Sequence, residues 1–276
     1  MVITSSAMAM EQIIVDSMNG LEDIKHDKSN STAIDKIIKF LKSNKIDSTE
    51  AYKLKKCSYE INEIWKNEFP IGERINRTPK TDIVIGKNRI SLKVGDKSQL
   101  MQPQKNELIT MLRLCIPDFL TSERYFYLRS LIPDILKLGR IRVLAKGVDP
   151  HDDPLIIERK KIHDKITEEL SKLYEIPEFK YNLGFEGATG SKKFVDNEPK
   201  PTHILTVQYD GERNKLVLVK LKNNKSFQKM IDNSTIGFSL KSDSEKKIIN
   251  KKRTKTDYRI YRSSCKIWLN NSEFIE

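Results

Sequence analysis

The first third of the chain repeats apolar residues at helical spacing. Met10, Ile13, Ile14 and Met18, with Val15 beside them, form one stripe that stops at Asn19-Gly20. Residues 21–31 are polar and read as a loop. A second stripe of Ile34, Ile37, Ile38 and Leu41 predicts a helix from about Thr32 to Leu41. A third helix is expected from about Ser48 to Glu68, ahead of Pro70, with Leu54, Cys57, Ile61, Ile64 and Trp65 on its apolar side. Glu68 falls on that same side, Glu60 at its edge, and Glu63 away from it. A carboxylate aimed inward needs a partner or water, so Glu68 belongs either to a wet helix end or to a site.

The pattern then shortens to a period of two. TDIVIG and RISLKV, flanking Gly86, Lys87 and Asn88, predict a β-hairpin. With Lys87-Asn88 as the central pair, Asp82 faces Lys93 and Val84 faces Ser91. Ile83, Ile85, Ile90 and Leu92 then point to the other side of the sheet. Residues 98–115 return to helical spacing, interrupted at Pro103, with Leu108, Met111, Leu112 and Cys115 as the stripe. Further helices are expected over 121–138 and 155–174. Gly184, Gly187 and Gly190 crowd the run GFEGATGSKKF, where bare backbone serves a close approach or a sharp turn. After residue 200 the chain reads as strands: HILTVQYDG, KLVLVKL, TIGFSLKSD and DYRIYRSSCKIWL, with a short helix over 226–232. The expected class is α/β of the α+β kind. It has a helical lead-in over 1–47, a core over 48–240, and a basic strand segment over 241–276 packed on that core.

Composition narrows the function classes. At 276 residues, 38% hydrophobic and 32% charged, the chain can bury a real core. No stretch approaches 18 uncharged apolar residues, which removes membrane-spanning helices and membrane partners from the expectation. The N-terminus lacks a basic region and carries Glu11 and Asp16, unlike a secretory signal. Cys57, Cys115 and Cys265 form no CxxC, and the four histidines, His26, His151, His163 and His203, have no metal-ligand spacing. A reducing cytoplasm is the expected location. Phosphate-binding glycine loops and the GxSxG element are absent from the sequence.

The net charge of +12 points to a polyanionic partner. An AT-rich coding sequence would also enrich Lys, Asn and Ile, but it would spread lysine evenly. Instead Lys246, Lys247, Lys251, Lys252, Arg253, Lys255, Arg259 and Arg262 crowd residues 246–262 against Asp257 alone. Tyr258 and Tyr261 are interleaved. Such a segment suits a nucleic-acid backbone, with rings free to stack; a solvated charged loop is the plainer reading.

Pro79-Lys80-Thr81-Asp82, then Ser91-Leu92-Lys93, then Gln99, resembles the core of the PD-(D/E)XK nuclease superfamily, which includes restriction enzymes, phage exonucleases and junction resolvases. The resemblance spans about residues 50–115. It implies a restriction-endonuclease-like mixed sheet flanked by helices. In that family an Asp on one hairpin strand meets an acid-X-Lys on the next, and a preceding helix often adds a Glu. Carried over, Asp82 becomes a metal ligand and Lys93 the group that orients water or stabilises the phosphate. Glu68 or Glu60 supplies the helical acid, and Gln99 contacts DNA. Mg²⁺ or Mn²⁺ is the implied cofactor.

Ser91 stands where the family has an acid, so a displaced carboxylate is required. Glu107 on the following helix and Glu186 in the glycine run are the candidates, and Asp96 lies nearer in a loop. Lys192 and Lys193 are placed to touch phosphate. The implied function is a metal-dependent DNA nuclease, an endonuclease first, of a phage or mobile element acting in the host cytoplasm, with a homodimer allowed. The alternatives are a degenerate nuclease scaffold that binds nucleic acid without cutting, and a phage structural or packaging component.

Overall fold

A computed structural model describes residues 7–21, 28–54, 59–95, 99–144, 152–210, 213–222, 224–249 and 252–269. The class is mixed α/β: among the described residues, eight α-helices and two sheets. Helices α1 (Ala7–Met18) and α2 (Lys28–Ser43) precede strand β1 (Ala51–Lys53) and the short helix α3 (Glu63–Glu68). Strands β2 (Ile83–Ile85), β3 (Asn88–Val94) and β4 (Gln99–Met101) follow. Next come α4 (Lys105–Cys115), α5 (Thr121–Leu136), β5 (Ile141–Leu144), α6 (Pro154–Tyr174) and α7 (Pro177–Thr189). The last part is β6 (His203–Asp210), β7 (Arg213–Lys220), α8 (Asn224–Asp232), β8 (Ser234–Ile249) and β9 (Lys252–Leu269).

The first sheet has the order β1-β2-β3-β6-β7. Only β3 and β6 run parallel, with Ile90 opposite His203 and Val94 opposite Val207. A parallel neighbour requires a long crossover, and the helices α4 to α7 supply it. One sheet face takes α1 and α2. Met10, Ile14, Met18, Ile37 and Leu41 close on Ile83, Ile85, Ile90, Leu92 and Leu205. The helices thus form one wall of the sheet rather than standing apart from it. The other face opens into a larger core where α4 to α8 meet Ile204, Val219 and the inner side of the second sheet.

In the second sheet β9 is central, flanked by β4 and β5 on one edge and by β8 along its whole length. β8 crosses residue 240 without interruption.

Three expected elements differ. The helix over 48–68 contracts to the six residues of α3, capped by the Asn62 side chain on the Ile64 N–H. Ala51–Lys53 instead forms a strand, because Ala51, Tyr52 and Lys53 can pair with Ile85, Val84 and Ile83. Sheet pairing overrides local helical spacing here, and Ile64 ends up exposed. Cys57 lies outside the described residues. The helix over 98–115 starts only after Pro103, and Gln99 sits in β4 opposite Trp268. The glycine run is not a surface turn: Gly184 and Gly187 lie inside α7 against Ile231 and Met101.

Gly190 ends α7 at φ +63°, and a Cβ there would lie 2.8 Å from the Phe194 ring. Both backbone strain and a clash with a fully buried ring oppose any larger residue. Gly190→Ala should destabilise the protein by about 1–3 kcal/mol, read as a lowered urea midpoint with an unchanged slope.

Candidate active site

The hairpin turns at Gly86-Lys87, with Gly86 at φ +53°. Ile83 is paired with Ile90 and Val84 with Arg89, so the register is two residues from that expected. Asp82 therefore meets Ser91 rather than facing Lys93. A slip of two preserves sides: Ile83, Ile85, Ile90 and Leu92 do pack toward α1 and α2. At Asp82 the backbone N–H still donates to the Ile90 carbonyl of β3, while the carbonyl accepts from the Leu54 N–H. The Asp82 side chain takes further donors of β3. Its Oδ2 accepts the Leu92 N–H at 2.7 Å and the Ser91 hydroxyl at 3.2 Å. Ser91 thus orients the aspartate instead of adding a charge.

A carboxylate neighbour comes from a helix earlier than any singled out in the sequence. Glu11 of α1 forms an ion pair of 2.9 Å with Lys53 of β1, whose Cα partner is Ile83, beside Asp82. Burial raises the Glu11 pKa; the Lys53 hydrogen bond opposes this, and the negative charge of Asp82 raises it further. Lys93 pulls weakly the other way. The signal was present in the sequence. At about 100° per residue, Glu11 projects between Met18 and Val15, inside the apolar stripe of α1.

On the same side of β3 as Asp82 and Ser91, away from α1 and α2, lies a cluster of buried charges. Lys193 donates to Glu107 at 2.5 Å, both nearly inaccessible, and sits over the rings of Trp65 and Phe194. Glu107 also closes a capping box at the start of α4. Glu186 accepts from the Lys192 N–H at 2.7 Å and from Ser191 at 2.9 Å, and burial raises its pKa. Lys80 is half-buried among these groups. Desolvation lowers its pKa to about 8; Glu107 opposes the shift, and Lys193 and Lys93 add to it.

Glu107 is therefore held by Lys193, and Glu186 by Ser191 and the Lys192 N–H through Oε2 while its Oε1 is buried without a hydrogen bond among the described residues; the hydrogen bonds of Asp82 come instead from Ser91 and Leu92. Lys193 is turned inward and cannot reach a phosphate, because its charge is needed opposite Glu107. The Lys192 ammonium is bonded to the Leu114 carbonyl. Glu60 is exposed in the stretch that pairs with 193–195. Glu68 ends α3 beside Arg113 at 3.9 Å. Gln99 belongs to the second sheet, away from a helix start.

The basic segment forms the end of the β8–β9 ribbon. Lys246 is paired with Lys255, and Arg253 with Ile248. Among the described residues β5 pairs with β9 over 258–261 and β4 at 267–268, and the outer part of the ribbon is paired between β8 and β9. Lys247 and Lys252 belong to the same paired stretch, and Lys251 lies outside the described residues. Arg259 and Arg262 are exposed nearer its base, Arg262 at 3.6 Å from Asp243.

A cleft of about 1020 Å³ opens between residues 69–78 and the start of α4, with Glu107 in its wall. Arg74, Arg77 and Arg140 line it, and all three are exposed.

No protein-family model matches this chain, and no curated protein is similar to it. Among the described residues no helix is long and apolar enough to cross a membrane, and no three or more His, Cys, Asp or Glu gather as a metal cage.

Lys80 gives a pH signature. Its folded pKa of about 8 lies below the ordinary 10.5, so the native state binds fewer protons between those values. Stability from this group rises with pH across that window, and the penalty is full below it. Lys80→Met should stabilise the protein at neutral pH. That gain should shrink between about pH 8 and pH 10.5, as measured by urea unfolding at a series of pH values.

Proposed function

We propose that the protein is a divalent-metal-dependent DNA nuclease of the PD-(D/E)XK kind, acting in a cytoplasm. The observation that supports the reading is the Asp82 carboxylate fixed on the hairpin by Ser91 and the Leu92 N–H, with Glu11 of α1, held by Lys53 of β1, near enough to feel its charge. The order is then a helix with an inward acid, an Asp hairpin with Lys93 on its second strand, and a helix after it. Asp82 and Glu11 would hold Mg²⁺ or Mn²⁺, which when bound activates a water and neutralises charge on the phosphate. Ser91 and the Leu92 N–H fix the Asp82 carboxylate in one orientation. Lys53 keeps Glu11 in place. Lys93 supplies positive charge where the attacked phosphate becomes more negative.

The ribbon supports DNA as the substrate. The major groove admits a two-stranded β-ribbon, and the ribbon end combines that width with six of the chain's lysines and arginines over 246–255.

A second reading, nucleic-acid binding without cleavage, is favoured by Ser91 alone. It replaces the family acid, leaving Asp82 and Glu11 as the sole acid pair at this end of the sheet among the residues described above.

Supercoiled and linear DNA incubated with Mg²⁺, Mn²⁺ or EDTA separates the two. Metal-dependent cutting is expected, falling about 100-fold or more in Asp82→Asn, Glu11→Gln and Lys93→Ala. Glu60→Gln and Glu68→Gln should keep wild-type rates. Salt-sensitive retention of DNA with no cutting in either metal would establish the second reading instead.

A further inference from the structure

The cleft between residues 69–78 and α4 takes no part in the chemistry proposed above, yet it is built for a particular kind of ligand. Its cationic groups are arginines rather than the lysines that dominate the chain. Arg74 and Arg140 make no hydrogen bond or ion pair among the described residues, and Arg77 makes only a long bond of 3.4 Å to the Tyr59 carbonyl. Three guanidinium groups with forks to spare, held around one concavity, match phosphate oxygens. Glu107 in the wall is already neutralised by Lys193, so it does not cancel them. Glu73 is the one opposing acid of the lining that lacks such a partner among the described residues.

The rest of the lining adds amides that can meet base edges. The Asn76 oxygen accepts from the Thr78 N–H and hydroxyl and the Gln104 side chain caps α4, which leaves their NH₂ groups as donors, and Asn106 offers both a donor and an acceptor. Size decides between one strand and two. About 1020 Å³ accommodates a few unpaired nucleotides, whereas a duplex would have to enter with both backbones and its stacked pairs. The cleft is also connected to the reaction centre. Thr78 lines it, Lys80 follows two residues later, and the charge of Lys80 is felt by both Glu107 in the cleft and Lys93 on β3.

We infer that this cleft is a subsite for single-stranded nucleic acid, with phosphates on Arg74, Arg77 and Arg140 and unpaired bases against Asn76, Gln104 and Asn106. The inference rests on the nucleic-acid reading above but not on cleavage. It divides the work between two surfaces: the β8–β9 ribbon holds duplex, and the cleft holds the unpaired strand beside it. The substrate class that uses both is DNA with a duplex-to-single-strand junction.

The test is fluorescence anisotropy in EDTA, with a short labelled single strand, a blunt duplex of matched length and a duplex with an unpaired tail. The proteins are the wild type, an Arg74→Gln/Arg140→Gln double variant, and a ribbon variant with Lys252→Gln, Arg253→Gln and Lys255→Gln. The arginine variant should lose about tenfold or more in affinity for the single strand, with a shallower salt dependence, while holding blunt duplex as the wild type does. The ribbon variant should show the reverse, and the tailed duplex should suffer in both. Unchanged single-strand affinity in the arginine variant overturns the inference. An equal fall for single strand and duplex also overturns it, since the arginines would then be general backbone contacts. Failure of the underlying reading looks different: the wild type itself would retain none of the three DNAs, and the subsite would go with it. Both substituted arginines are exposed, and matched thermal unfolding confirms that the variants are folded.

Discussion

Lys193 reaches Glu107 in a place where water barely penetrates, and the surrounding segments are arranged to keep those two charges together. An isolated charge at that depth is untenable, and removing one partner of such a pair costs about 3–5 kcal/mol. The pair joins the turn after α7 to the first turn of α4. Gly190 allows the chain to reverse in time for Lys193 to point inward, while the capping box holds Glu107 at a fixed height on its helix. Trp65 and Phe194 close over the ammonium, which brings α3 into the same arrangement. Lys80 is carried into the neighbourhood and gives up affinity for its proton as a result.

On the crossover face of β3 the Lys193–Glu107 pair ties α4 to the turn after α7. At the sheet end, Asp82 and Glu11 repel each other and are only partly offset by Lys53. Asp82 cannot swing away, because its carboxylate accepts from the Leu92 N–H and the Ser91 hydroxyl of β3.

The second sheet adds reach. β8 and β9 run 16 and 18 residues, far longer than their neighbours β4 and β5, so the ribbon continues beyond the strands that brace it. Arg142 fastens its base, pairing with Glu245 through two bonds of 2.8 and 3.0 Å and stacking on Tyr258. The basic run 246–255 falls in the part of the ribbon where, among the described residues, β8 and β9 pair with each other alone.

Local periodicity alone was enough to mark most elements. The stripes of α1, α2 and α4, the late strands and the Asp82 hairpin were all legible, because each buries one face against a neighbour and the pattern must show it. So were the sides of the hairpin, since Ile83, Ile85, Ile90 and Leu92 alternate whatever the turn. The register was not legible: Gly86-Lys87 and Lys87-Asn88 both make acceptable turns, and pairing with β1 and β6 settles which one forms. The strand at Ala51–Lys53 was hidden for the same reason, its partner lying some thirty residues on. The inward acid of α1 was written in the stripe itself, as Glu11 between apolar neighbours. What no sequence pattern carries is the partner of each charge. Lys193 belonging to Glu107, and Glu11 to Lys53, are outcomes of how helices close on a sheet, and that closure depends on contacts between residues distant along the chain.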